Sequence, residues 1–298
     1  MKTTWIIMAM VALCGMAQAA LIIDSSTADW TKITYGTNSP DTYIDQQTGL
    51  KSGDLVGNAT HASFYTKFDN AGTPSLTDGT LAFRVRLNEA KNYSKLVFDY
   101  SLFVGMDADR NGSLDLFLGI DNSPSGGGTL AIWNPGAGAN TGPSTTTIVS
   151  PALSTYTETA GVNYHFAMVT AALDPSAASF DVDGGGKADV FLSFCLPFAD
   201  VVSFLSSNGI SINQNSAINY VMATSTQNNS LNMDLNGVNG GTSSTLTFAQ
   251  LGATADPFSP AGVAIPEPAT ALLFGIGGVG AWLLRRNKKL TAEEDDTL

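Results

Sequence analysis

Cysteine is nearly absent: Cys14 and Cys195 are the only two in 298 residues. Cys14 lies in an N-terminal apolar stretch of the kind removed on export, which leaves Cys195 alone. A single thiol makes no intramolecular disulfide, so the remaining domain must be held by its core, by hydrogen bonds or by metal. Cys195 itself sits in the apolar run Phe191-Leu192-Ser193-Phe194-Cys195-Leu196, the setting of a small buried hydrophobe. Histidine is as scarce, with His61 in a loop and His165 out of phase with Tyr164 and Phe166 on a strand-like stretch. No G-x-S-x-G elbow, H-E-x-x-H helix, CxxC pair or phosphate-cradling glycine loop is present. The chain is therefore not expected to be an enzyme.

Positive charge is also short. Lys and Arg total 14 against 26 Asp and Glu, a formal charge of -12. That balance disfavours nucleic acid and anionic membrane surfaces, whose contacts need clustered cations, and no nucleic-acid partner is expected. It suits divalent cations and neutral sugars. Between Ala20 and Ala264 the only glutamates are Glu89 and Glu158, and the other acids are aspartates, many in Gly/Asn-rich turns. A glycoside hydrolase needs two carboxyls at a defined separation. These glutamates are the available pair, although a charged strand edge is the commoner use of Glu.

Both ends of the chain carry address-like segments. Lys2, the apolar stretch Trp5 to Gly15 and then Ala17-Gln18-Ala19 form a secretory signal peptide over 1–19, with cleavage before Ala20. A lipoprotein signal at Cys14 is the alternative, but Leu13 precedes it where a small residue is needed. At the other end come Ile265-Pro266-Glu267-Pro268-Ala269-Thr270, an uncharged apolar segment over 269–284, and Arg285-Arg286-Asn287-Lys288-Lys289. As a helix that segment is about 24 Å long, marginal for a bilayer core of about 30 Å without snorkelling by Arg285 and Arg286. The basic cluster fixes its end in the cytoplasm, and Pro266 and Pro268 keep Glu267 in an extended strip outside. Span and basic flank alone would specify a plain anchor. With the Pro-Glu-Pro triplet in front, the arrangement resembles the PEP-CTERM sorting signal. The resemblance implies export in a Gram-negative bacterium that makes exopolysaccharide, and processing by a membrane protease of the exosortase type. It also implies sorting roles for Pro266, Glu267, Pro268, Arg285 and Arg286. Leu290 to Leu298 departs from the pattern by adding an acidic tail over the end of 285–298.

The body alternates. Leu81, Phe83, Val85 and Leu87 fall on one face of a strand whose other face carries Ala82, Arg84, Arg86 and Asn88. Lys95 to Met106 repeats the pattern, followed by Leu114 to Ile120, Tyr164 to Met168, Val190 to Phe194, Ile218 to Met222, and Leu246 with Phe248. Short strands separated by Gly, Asn, Asp and Pro predict an all-β fold, a β-sandwich of jelly-roll or lectin-like kind over 20–255 with a linker over 256–268. Ser123 to Pro151 is expected to be a long loop or a pair of weak strands, and Phe198 to Ser206 a helix that Gly209 can end.

Two segments repeat one another. Asp107-Ala108-Asp109-Arg110-Asn111-Gly112-Ser113-Leu114-Asp115 and Asp181-Val182-Asp183-Gly184-Gly185-Gly186-Lys187-Ala188-Asp189 share aspartate at positions 1, 3 and 9 and glycine at 6. This resembles the first nine positions of EF-hand and dockerin calcium loops, in which alternate side chains turn inward and glycine permits the sharp bend. The resemblance implies calcium on Asp107, Asp109, Asn111, Ser113 (through its carbonyl) and Asp115, and more weakly on Asp181, Asp183 and Asp189, since Gly185 offers no ligand. Leu118 and Leu192 stand where an EF-hand has glutamate, so a β-type loop is expected. Asp/Gly turns without metal are the alternative. A third stretch, Asp234 to Gly241, has too few carboxylates, and its Asn-Gly pairs predict a hairpin turn.

Three function classes follow. The first is a structural or adhesive envelope protein with a calcium-stabilised sandwich. The second is a carbohydrate-binding module for exopolysaccharide, for which Trp30, Trp133 and Tyr35 are the candidate exposed aromatics, with core or loop packing the equal alternative for all three. The third and least supported is a polysaccharide hydrolase or lyase.

Overall fold

The computed structural model describes residues 21–263, apart from 36–40, 42–43, 59, 125–126 and 178. The signal peptide, the apolar span over 269–284 and the sorting residues Pro266, Glu267, Pro268, Arg285 and Arg286 lie outside the described residues. Among the described residues no helix is long and apolar enough to cross a membrane.

The alternation resolves into two antiparallel sheets. One has five strands in the order β1 (Thr31–Lys32), β2 (Phe64–Asp69), β3 (Thr80–Leu87), β9 (Val190–Pro197) and β8 (Tyr164–Met168). The other has six: β11 (Asp234–Leu235), β10 (Asn219–Ser225), β4 (Ser101–Asp107), β5 (Leu116–Asp121), β6 (Thr129–Trp133) and β7 (Ser154–Thr157). Leu81, Phe83, Val85 and Leu87 of β3 meet Leu102, Val104 and Met106 of β4 and Leu116, Leu118 and Ile120 of β5 in one buried cluster. Burial of each such side chain contributes about 1.5–3 kcal/mol, and a one-residue slip would turn the whole set outward, so register is strongly specified.

The second face of β3 is not solvent. Arg84 and Arg86 are fully buried, and the N-terminal segment that covers Arg84 brings Ile23 and Trp30 into a second layer with Tyr65, Phe191 and Cys195. Arg84 donates to Ser193 Oγ at 2.8 Å, the Ser25 carbonyl at 2.7 Å and the Ile23 carbonyl at 2.9 Å, and lies 4.3 Å from the Trp30 ring centre. Burial draws its guanidinium down to about 10. Cys195 is buried as expected, and burial pushes its thiol up to about 11.

The helix α1 (Phe198–Ser207) forms where expected and buries Phe198, Val201 and Leu205. Gly209 ends it at φ +82°, with Gly209 N–H donating to Ser206 O and Ile210 N–H to Leu205 O, the paired bonds of a Schellman cap.

Three expectations are corrected and one is narrowed. The strand expected from Lys95 begins only at Ser101, because Lys95 and Leu96 turn back onto Asn92 and Leu96 takes φ +46°. For the Gly/Ser-rich stretch 123–151 the strand alternative holds: it contains β6, whose Leu130 and Ile132 face the main core while Ala131 and Trp133 face a second cluster. Phe248 starts the short helix α2 (Phe248–Leu251) instead of a strand, because Thr247 and Gln250 form a reciprocal capping box. The body also runs past Ala255: Phe258 is buried in the core and bridges Ile218, so the linker does not begin at 256.

Candidate functional site

The two aspartate loops adopt the same backbone turn. Arg110 and Gly112 have φ +60° and +90°, and Gly184 and Gly186, at the same loop positions, have +79° and +92°. The first loop closes β4 onto β5; the second leads into β9. Each brings its three carboxylates together, with one oxygen from each within 4.8 Å of the others: Asp107, Asp109 and Asp115 in one, Asp181, Asp183 and Asp189 in the other.

They lie at opposite ends of the sandwich. Asp107 ends β4 and pairs with Asn219, the first residue of β10. Asn88, directly after β3, meets Asp54, and Thr224 near the end of β10 donates to Gly53 O, which puts the second loop's neighbourhood at the far end.

In the first loop the carboxylates are engaged by the loop itself. Asp107 accepts from Asn111 N–H at 3.0 Å and Gly112 N–H at 3.1 Å. Asp109 accepts from Asn111 N–H at 3.1 Å and Asn111 Nδ2 at 2.9 Å. Asp115 Oδ2 accepts from Ala108 N–H at 2.7 Å, and Ser113 donates its N–H to Asn111 Oδ1 at 2.8 Å. Burial pushes Asp107 up to about 6, against the lowering effect of the Gly112 N–H.

The second loop differs. Asp181 Oδ2 accepts from Gly186 N–H at 2.9 Å, Asp183 Oδ1 from Gly185 N–H at 3.3 Å, and Asp189 Oδ2 from Arg86 Nη1 at 3.0 Å and Val182 N–H at 3.3 Å. The other oxygens, Asp181 Oδ1, Asp183 Oδ2 and Asp189 Oδ1, are buried with no hydrogen-bond partner among the described residues. Burial and the adjoining Asp181 carboxyl push Asp183 up to about 6, and burial takes Asp189 to about 7 despite Arg86.

Asn88 lies against this loop. It is fully buried, its Nδ2 donates to Asp54 Oδ2 at 2.9 Å, and its Oδ1 has no hydrogen-bond partner among the described residues. A Cβ at Gly185 would come within 2.4 Å of that Oδ1. Asp54 in turn joins Asp45 and Asp234 in a third group of carboxylates. Burial raises all three, and the nearby Asp41 raises Asp234 further. Asp234 also accepts from Leu55 N–H at 2.6 Å.

A buried ionic chain backs the second loop. Arg86 spans Asp189 and Asp174, and Asp174 also pairs with His61 Nδ1 at 3.0 Å. Burial alone would raise Asp174, but the Ser176 hydroxyl and Arg86 outweigh it and hold the carboxyl below the usual range. His61 is thus a buried partner of an aspartate far along the chain.

The spacing in the sequence brought out both loops and none of these supports. Asn88, Asp54 and Asp234 are far apart in the chain, and the one local sign was the polar series Arg84, Arg86, Asn88 on an otherwise apolar strand. The aromatic candidates for sugar stacking are corrected: Trp30, Trp133 and Tyr35 are all buried, at 6 %, 4 % and 4 % exposure, because both faces of the sheets are covered. Glu89 pairs with Lys187 at 2.8 Å, and burial pushes Glu158 up to about 7 beside Asn122.

The family model of the PEP-CTERM protein-sorting motif matches residues 264–288. The chain therefore carries that motif on a β-rich body of unrecognised family, and the motif implies export and sorting at the membrane by an exosortase. No curated protein and no solved structure matches the chain.

Proposed function

We propose that this is an exported envelope or extracellular-matrix protein whose β-sandwich has a structural or adhesive role, stiffened by calcium in its aspartate loops. The observation that carries the calcium reading is the convergence of three carboxylates within 4.8 Å in each loop. Close carboxylates repel one another, and a hard divalent cation with oxygen ligands offsets that repulsion in the folded state only. In the first loop the ligands would be Asp107, Asp109, Asn111, Asp115 and the Ser113 carbonyl; in the second, Asp181, Asp183 and Asp189. Calcium suits a body with one thiol, which has no disulfide to constrain it. The assigned role involves no catalysis. The carbohydrate-binding alternative has lost the aromatics that motivated it.

Thermal melts in calcium and in chelator test the calcium reading, and identical melting temperatures would overturn it. Sorting is tested by intact mass. The expected product begins at Ala20 and ends close to Pro266-Glu267-Pro268, and Glu267→Ala is expected to block the second cut while leaving insertion unchanged. A product that retains residues 285–298 would reduce the tail to an anchor.

A further inference from the structure

We propose that Asn88 is a calcium ligand of the second loop, supplying from the end of β3 the oxygen that loop position 5 lacks. The inference rests on the calcium reading of that loop. At position 5 the first loop has Asn111, whose own side chain can reach inward, whereas the second has Gly185. The absent side chain is replaced in space. The three atoms nearest to a Cβ built on Gly185 all belong to the Asn88 side chain, at 2.4, 3.1 and 3.2 Å, with Oδ1 the closest. Glycine is required here because Asn88 takes the room.

The orientation of the amide is fixed. Nδ2 is held by Asp54 Oδ2 at 2.9 Å, which turns Oδ1 toward the loop. A fully buried amide oxygen with no hydrogen-bond partner is costly unless something else meets it. It joins three carboxylate oxygens of the loop in the same condition, those of Asp181, Asp183 and Asp189. The donor set is then three carboxylates and one neutral amide, all oxygen, with the Lys187 carbonyl at position 7 available as in other loops of this spacing. Oxygen donors only, and no nitrogen or sulfur, favour calcium over zinc or copper.

The ligand also links two acidic groups. Asn88 offers its oxygen to the second loop and its amide hydrogen to Asp54, a member of the Asp45–Asp54–Asp234 group. A cation on Oδ1 makes Nδ2–H a better donor, so binding at the loop strengthens the hold on Asp54.

The test is calorimetric calcium titration of the full chain carrying Asp109→Ala, so that the first loop is silent, with Asp183→Ala defining the signal of the second. Asn88→Ala is expected to weaken that signal about tenfold or more, the scale of losing one supporting partner of a metal site. Asn88→Ala with Gly185→Asn returns the ligand to the loop and is expected to recover most of the affinity, since Gly185 is not among the glycines with positive φ and its space is then free. Should Asn88→Ala fail to fold, Asn88→Asp with Asp54→Asn reverses the hydrogen bond without losing it and is expected to bind more tightly. Unchanged affinity in Asn88→Ala, no recovery in the double variant, or weaker binding by the reversed pair would each overturn the assignment. If Asp183→Ala has no effect either, the calcium reading of the loop falls and this inference falls with it.

Discussion

Two loops with the same aspartates, the same glycine and the same left-handed turns part company in what their carboxylates do. In the first, Asp107, Asp109 and Asp115 accept from the loop's own N–H groups and from Asn111, so the loop is close to a self-sufficient turn. In the second, each aspartate keeps one buried oxygen without a hydrogen-bond partner among the described residues, and the surroundings contribute Asn88 and Arg86. Ligand spacing within a loop therefore does not by itself set the surroundings of its carboxylates. What sets them is whether the rest of the fold relieves the carboxylates or leaves them facing one another. On the calcium reading proposed above, the second loop, poorer in ligands of its own, is the stronger candidate.

The largest expected effect sharpens that contrast. Arg86→Leu leaves Asp174 and Asp189 buried without their cation and should cost about 3–5 kcal/mol in chelator, read from denaturant melts. A loss below about 1 kcal/mol would show that the second loop does not depend on this support. Next is calcium itself. The gain over chelator follows RT ln(1 + [L]/Kd), about 2.7 kcal/mol at a hundredfold excess and nearer about 1 kcal/mol for the weak binding typical of extracellular modules. Asp183→Ala should remove more of this gain than Asp109→Ala, and the reverse order would break the comparison.

The third effect is on pH dependence in chelator. Asp107 and Asp183 are raised to about 6 and Asp189 to about 7, chiefly by burial. A raised carboxyl holds its proton in the folded state after the unfolded chain has lost it. Its contribution is present below the usual carboxylate value and lost as pH rises, so stability should fall between about pH 4 and 7. Millimolar calcium, which favours the ionised form, should flatten the fall. Asp189→Asn should flatten the chelator profile more than Asp107→Asn, by about 1 kcal/mol once solvent screening is allowed for. Equal profiles would mean that the two loops are equally solvated. The smallest effect, read in chelator, belongs to Asn111→Ala, which removes the exposed bonds of Asn111 to Asp109 and from the Ser113 N–H and should lower stability by only about 0.5–1 kcal/mol.

Much of this architecture was legible in advance. Period-two runs such as Leu81 to Leu87 identify strands because one face must be buried, and the helix at Phe198 shows both its apolar stripe and its glycine stop. The aspartate loops were legible because their ligands are local. The second covered layer was not, since nothing in Arg84 says that residues 21–30 fold over it, or in Arg86 that Asp174 and Asp189 meet it, and the covering also buries Trp30. Nor was the origin of position 5, because Asn88 and Gly185 meet only once β3 and β9 have paired. Thr247 and Gln250 stand at capping-box spacing, a local signal for the helix that replaces the strand expected from Leu246 and Phe248.

The way the chain leaves the sandwich has a consequence for orientation. Phe258 bridges Ile218 just ahead of β10, Ala261 N–H donates to Gln214 O, and Ser259 N–H donates to Val263 O at the last described residues. The exit is therefore at the end that holds the first loop. The sorting motif at 264–288 therefore continues from the end that holds Asp107, Asp109 and Asp115. The second loop, with Asn88 and the Asp45–Asp54–Asp234 group behind it, lies at the end away from that exit.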